Sequence, residues 1–155
     1  MKNDERHSRF TRTAQYGELV EARFLFEALK RQLIVSRPFN GSYYFDFVVC
    51  DLAGNVFKKV QVKGVQLRNG RHNGYCIKLR KPNGTNHFND ADLIFACFIE
   101  PHQCWYIIPA TAVKSTSSVR LYPDRKQGVG YYEKYKEDSW SLVDEKSYFI
   151  ESDEG

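Results

Sequence analysis

Several absences narrow the choice before any motif is considered. No stretch of the 155-residue chain approaches the roughly 18–20 consecutive apolar residues that span a bilayer, so no membrane segment is expected. The opening residues, Met1-Lys2-Asn3-Asp4-Glu5-Arg6, are polar and lead into no apolar run of the kind that secretion signals carry. No CxxC pair occurs. Cys50, Cys76, Cys97 and Cys104 are widely spaced, which sets aside a zinc site built on Cys97, Cys104 and His102. Cysteines lying in apolar runs read as buried free thiols and suit a reducing, cytoplasmic setting. Internal repeats and a second apolar core are missing too, so one domain over residues 14–150 is expected, between a basic arm (1–13) and an acidic tail (151–155) expected to be disordered.

What remains is an ordinary globular composition with two biases. Aromatics reach 15%, an excess shared by sheets and by surfaces that stack on bases, so it decides nothing alone. The net charge of +4 is too small for a passive basic coat yet compatible with a local basic face.

The arm carries Arg6, Arg9 and Arg12. A helix is expected from Ala14 to Leu33, because Leu19, Ala22, Phe26, Leu29 and Leu33 recur at helical spacing on what reads as the buried face. Pro38 and Asn40-Gly41 mark a turn. Tyr43 to Asp51 reads as a strand, Ala53-Gly54-Asn55 as a tight turn and Val56 to Val65 as the antiparallel return. A polar loop then leads to a third strand, Tyr75 to Lys81. Leu93 to Ile99 has the unbroken apolar character of a strand buried on both faces. Cys104 to Ile108 makes a fifth strand, and Pro109 to Val113 opens a short helix. Residues 114–136 give no clear pattern.

The chemistry concentrates on the hairpin. Gln61 and Lys63 are two apart in a strand and share a face, while Val60 and Val62 take the other. Asp46 sits between Phe45 and Phe47, an unusual setting for a carboxylate unless something binds it. Glu21 or Glu18 on the preceding helix adds a second acid. An acid pair, an amide and an ammonium can hold a hard divalent ion and steer water at a phosphate. In such a site Glu21 and Asp46 are candidate metal ligands, with carbonyl oxygens from Gln61 and Val62, and Lys63 is the candidate for orienting water and countering charge.

The order helix-Glu, Asp, then (Asp/Glu/Gln)-x-Lys across a hairpin resembles the PD-(D/E)XK nuclease superfamily. Gly17-Glu18-Leu19-Val20-Glu21-Ala22, Arg37-Pro38, Phe45-Asp46, Val60-Gln61-Val62-Lys63 and Trp105-Tyr106-Ile107-Ile108-Pro109 fall in the order of its group I intron homing endonuclease branch, over about Tyr16 to Val113. The resemblance implies an α/β (α+β), restriction-endonuclease-like αβββαβ core, a central mixed sheet flanked by helices. It further implies hydrolysis of DNA phosphodiesters with Mg2+, for which Mn2+ can substitute, and a catalytic set of Asp46, Gln61, Lys63 and Glu21, with Glu18 as its neighbour. Two departures stand out: Tyr44-Phe45 replaces the name-giving proline, and Gln61 carries no charge.

Alternatives stay open: a Holliday-junction-resolvase-like nuclease, or a DNA-binding module that kept the fold and lost turnover. Lys58, Lys59, Arg68, Arg71, Lys78, Arg80 and Lys81 are candidate phosphate contacts on double-stranded DNA, against the plain reading of a solvated sheet edge. The loop from Arg68 to Asn73 is the candidate base reader. His72 and His87 read as loop residues, Trp105 and Tyr106 as core. A homodimer or homotetramer is expected, with Tyr131, Tyr132 and Tyr135 as a candidate contact, and the protein would associate with the nucleoid when bound to DNA.

Overall fold

The computed structural model describes residues 2–41, 43–79, 87–113, 117–125, 130–136 and 140, with backbone alone at 2–12 and at Arg71. Helix α1 spans Lys2–Lys30, so the stretch expected to be an arm is helical from Lys2 onward. No proline or glycine interrupts the chain before Gly17, and nothing in residues 2–16 breaks the ladder. The helix also stops three residues earlier than expected. Gln32 turns left-handed (φ 61°), the Leu33 N–H reaches Ala28 O (3.0 Å) and the Gln32 N–H reaches Leu29 O (2.9 Å), which together form a Schellman cap. Leu33 and Ala28 are buried in the same cluster, so the cap is sealed by an apolar contact.

Strands β1 (Ile34–Ser36), β2 (Phe47–Cys50), β3 (Phe57–Val65), β5 (Leu93–Ile99) and β6 (Cys104–Pro109) form one sheet in the order β1-β2-β3-β5-β6. β3 and β5 run parallel and the other neighbours antiparallel. The β2–β3 hairpin turns at residues 51–56, where the buried Asp51 carboxylate accepts the N–H groups of Asn55 (2.8 Å) and Val56 (3.1 Å). A second, two-stranded sheet pairs β4 (Tyr75–Lys78) with β7 (Ser118–Leu121). The third strand expected at Tyr75 to Lys81 is therefore shorter and lies outside the main sheet. β1 and β7 had no counterpart in the sequence reading, and β2 is shorter than Tyr43 to Asp51. The four cysteines lie in strands, and none of them forms a disulfide.

The mixed α/β class with a central mixed sheet is as expected. Among the described residues, however, α1 is the one α-helix. The crossover from β3 to β5 runs through a 3-10 turn (Arg71–Asn73) and β4, where the αβββαβ order would place a second helix. The short helix after Pro109 is a 3-10 turn, Ala110–Ala112.

β5 is buried along its whole length because both faces of the sheet are covered. Ile94, Ala96 and Phe98 pack toward α1, while Leu93, Phe95 and Cys97 pack toward β4 and β7. The face of α1 that meets the sheet is Val20, Phe24 and Ala28, all at most 1% exposed. Burying a valine or phenylalanine in this way contributes roughly 1.5–3 kcal/mol each. The expected face was the wrong one: Leu19, Phe26 and Leu29 are 48%, 64% and 55% exposed. The helix carries two apolar stripes, and periodicity does not say which of them meets the sheet.

Gly64, the residue after Lys63, lets α1 approach β3 closely. A Cβ there would lie 2.7 Å from Val20 Cγ2 and 3.0 Å from the Tyr16 hydroxyl. Tyr132 is buried and the half-buried Tyr135 packs against the core between β5 and the β4–β7 sheet, so of the trio expected to form a contact Tyr131 is the exposed one.

Candidate active site

β2 stops where the chemistry begins. Phe47 pairs with Val60 in the ladder, but the Asp46 N–H also turns to Val60 O (2.8 Å), so Asp46 does not extend the regular pairing. Its carboxylate takes over instead, and Oδ2 accepts the Val62 N–H at 2.7 Å. Val60 and Val62 thus direct their backbone groups toward β2. By strand alternation those of Gln61 point to β5, which leaves the Val62 carbonyl, and not that of Gln61, on the open side.

Glu21 comes to the same place from the helix, one position after the buried Val20. It shares a cleft of about 300 Å³ with Asp46, lined also by Arg37, Pro38, Tyr43 and Phe45. Burial, and then the negative charge of Asp46, push the Glu21 carboxyl above its usual range. Arg37 opposes both, pairing with Glu21 while its guanidinium lies 5.1 Å from the Phe47 ring centroid. Sequence reasoning noted Arg37 only as half of the Arg37-Pro38 pair. Its role depends on β1 lying beside β2, a pairing that no local signal announced. Glu18 is exposed and lines an adjoining cleft of about 550 Å³ with Glu21, Val35 and Arg37, farther from Asp46.

Gln61 and Lys63 occupy the next positions of β3, on the face turned away from Val60 and Val62, and are not among the lining residues of the Glu21–Asp46 cleft. Gln61 is buried, beside Phe95 of β5. Lys63 pairs in register with Cys97, and its charge acts on that thiol, which burial pushes up to about 12. Asp46 therefore meets Glu21 in the cleft and reaches β3 through the Val62 N–H, while the Gln61 and Lys63 side chains lie on the other face of that strand.

The basic candidates are less uniform. Lys58 faces Asp92 (3.8 Å), and Lys59 pairs with Asp90 and donates to the Tyr44 hydroxyl (2.8 Å). Burial would raise the Asp90 carboxyl, but hydrogen bonds from Lys59, Tyr44 and the Asp92 N–H hold it at about 2. Arg68 pairs with Asp124 (2.5 Å) and donates to Asn73 O (3.1 Å). Lys78 is exposed on β4. Arg71 is described by its backbone only, and Arg80 and Lys81, like the acidic tail, lie outside the described residues. The loop expected to read bases is firmly built: Asn69 bonds both the N–H (2.6 Å) and the carbonyl (3.0 Å) of Cys76. Of the two loop histidines, His72 is exposed and His87 stacks on Tyr44; Trp105 and Tyr106 are core.

The donors in the cleft suit a hard divalent cation. Two carboxylates lie close enough for one charge to act on the other, and a guanidinium already occupies the cationic place against Glu21. Among the described residues no three His, Cys, Asp or Glu side chains cluster as metal ligands, including Cys97, Cys104 and His102. Two acids with neutral oxygens and water are the pattern magnesium accepts, whereas zinc sites draw on Cys and His. No helix among the described residues is long and apolar enough to cross a membrane.

Residues 11–138 match the model of the PD-(D/E)XK endonuclease family, and the chain belongs to that family. Its fold is similar to that of a bacterial homing endonuclease, I-Ssp6803I, with a TM-score of 0.66 and 21% identity over 85% of this chain and 91% of that one. A weaker match is Hjc, a Holliday junction resolvase of Archaeoglobus fulgidus, with a TM-score of 0.48 and 12% identity over 76% of this chain and 87% of that one. Among curated proteins, none matches the sequence.

Proposed function

We propose that this protein is a divalent-metal-dependent endodeoxyribonuclease of the homing or mobile-element kind, cutting double-stranded DNA as a homodimer or homotetramer. The observation that carries the reading is the meeting of Glu21 and Asp46 in one cleft, with Asp46 clamped to the Val62 N–H. Glu21, Asp46 and the Val62 carbonyl would hold Mg2+ or Mn2+, with Gln61 turned away from that cleft. The bound ion would supply Lewis acidity toward the phosphate and make water more acidic.

The chain's own groups do the rest. The Asp46–Val62 bond fixes one carboxylate before substrate arrives, so little reorganisation is needed. Lys63, two positions after Gln61 on the same face of β3, would orient water and offset charge growing on the phosphate. Arg37, with its side chain 62% exposed, would be free to exchange Glu21 for a phosphate oxygen if that acid served as a metal ligand. Lys78 and the loop from Arg68 to Asn73 offer contacts to the DNA backbone and bases, which makes binding salt-dependent.

A DNA-binding module without turnover is the rival, favoured by one observation: Gln61 puts a neutral amide where the superfamily places a second acid. Plasmid cleavage with and without Mg2+ separates the two. The wild type should nick or linearise DNA, and Asp46→Ala and Lys63→Ala should not. Cleavage that survives both substitutions removes the site, while tight binding with no cleavage of any DNA favours the module.

A further inference from the structure

Helix α1 is apolar on two opposite sides, and the sheet covers only one. At roughly 100° per residue, Val20, Phe24 and Ala28 point at the sheet, while Leu19, Ala22, Phe26 and Leu29 fall on the far side. Those four recur at i, i+3, i+7 and i+10, the spacing of a seam between two helices. Leu19, Phe26 and Leu29 are about half exposed or more, and among the described residues no element packs over them. The stripe continues into a groove of about 410 Å³ floored by Phe98 and Trp105. An apolar face of this kind is normally covered, and contiguous exposed apolar surface marks contact with another molecule.

The charges beside the stripe identify the occupant. Glu18 lies on one flank, Arg23 and Lys30 on the other. If two copies of α1 pair in parallel, the acidic flank of each meets the basic flank of the other, and Glu18 faces Arg23 of the second copy, five residues further along. Antiparallel pairing would set each flank against its own kind. Arg23 is already held at the rim of the groove by Glu100 (3.1 Å) and Gln103 (2.9 Å), which limits the ordering needed on association.

We propose that the outer stripe of α1 is the self-association surface of this protein, occupied by α1 of a second copy running parallel to it. The inference deepens the endonuclease reading and rests on it for its purpose. A parallel pair relates the two Glu21–Asp46 clefts by a two-fold axis, so each copy would bring one site to a shared duplex.

Light-scattering mass of the full chain tests the association, and cysteine cross-linking tests its direction. The wild type should have at least the mass of a dimer. Phe26→Lys should weaken association about tenfold or more while keeping the wild-type circular dichroism spectrum, because the side chain is exposed in the single chain. In a parallel seam each position meets its own copy, so Phe26→Cys and Leu19→Cys should each form a disulfide-linked dimer under mild oxidation. Leu67→Cys, at a site 77% exposed, should not. A wild type that is monomeric at its highest soluble concentration overturns the proposal, as does undiminished association of Phe26→Lys, or cross-linking no better at Phe26→Cys than at Leu67→Cys. These readings do not involve cleavage: a dimer without nuclease activity would sink the function and keep the interface, and an active monomer would do the reverse.

Discussion

Replacing Asp46 in two ways separates the two jobs of its carboxylate. Val62 is only 8% exposed, and its N–H donates to Asp46 Oδ2 at 2.7 Å. Asp46→Ala leaves that buried donor without its acceptor, which costs about 1–3 kcal/mol. In a chain of this size that corresponds to a melting temperature lower by roughly 3–10 °C. Part of the loss is offset, because Glu21 is relieved of a neighbouring negative charge. Asp46→Asn keeps a carbonyl oxygen for Val62 and gives the same relief, so it should be at least as stable as the wild type. Both variants should lose cleavage. Urea denaturation followed by circular dichroism, beside plasmid nicking in Mg2+, measures the two effects separately. If the alanine and asparagine variants unfold together, the Asp46–Val62 bond carries no weight in the fold. If the asparagine variant cleaves at the wild-type rate, Asp46 is not a metal ligand.

Three further outcomes are expected. Gly64→Ala drives a methyl group into Val20 and Tyr16 and should cost about 1–3 kcal/mol by urea denaturation, with reduced cleavage because Val20 adjoins Glu21; stability equal to the wild type would contradict the close approach of α1 to β3. Arg37→Gln removes the charge that holds the Glu21 carboxyl down, so the acidic limb of the pH–rate profile should move to higher pH, and an unmoved limb would detach Arg37 from Glu21. Glu21→Gln tests linkage. A carboxyl raised on folding binds more protons in the folded than in the unfolded chain, so its contribution to stability falls as pH climbs through that window. The glutamine variant should therefore be more stable than the wild type at pH 7, with the gap closing below about pH 4. A gap that persists in acid would show that charge is not its origin.

Much of the hairpin was legible because its signals are local. The apolar run of β5, the turn at Gly54 and the alternation of Val60 and Val62 with Gln61 and Lys63 each follow from neighbours in the chain. The nearness of Asp46 to β3 followed from the hairpin register. Arg37 was missed as a site residue because its contact with Glu21 depends on β1 pairing with β2, and three residues are too few to carry a period. The second sheet was missed because β4 and β7 lie far apart in sequence. Lys58 and Lys59 read as a basic patch, but the turn before β5 brings Asp92 and Asp90 against them.

The amino-acid sequence by itself determined which residues are chemically able to bind a metal and which strands hold them, since side-chain type and two-residue alternation are written along the chain. Only the tertiary structure decided which face of α1 is buried, and therefore that Glu21 reaches Asp46 while Glu18 remains at the rim. The reason is geometric: a helix with two apolar stripes has two ways to lie on a sheet, and the choice falls to the shape of its neighbours, above all to the space that Gly64 leaves for Val20.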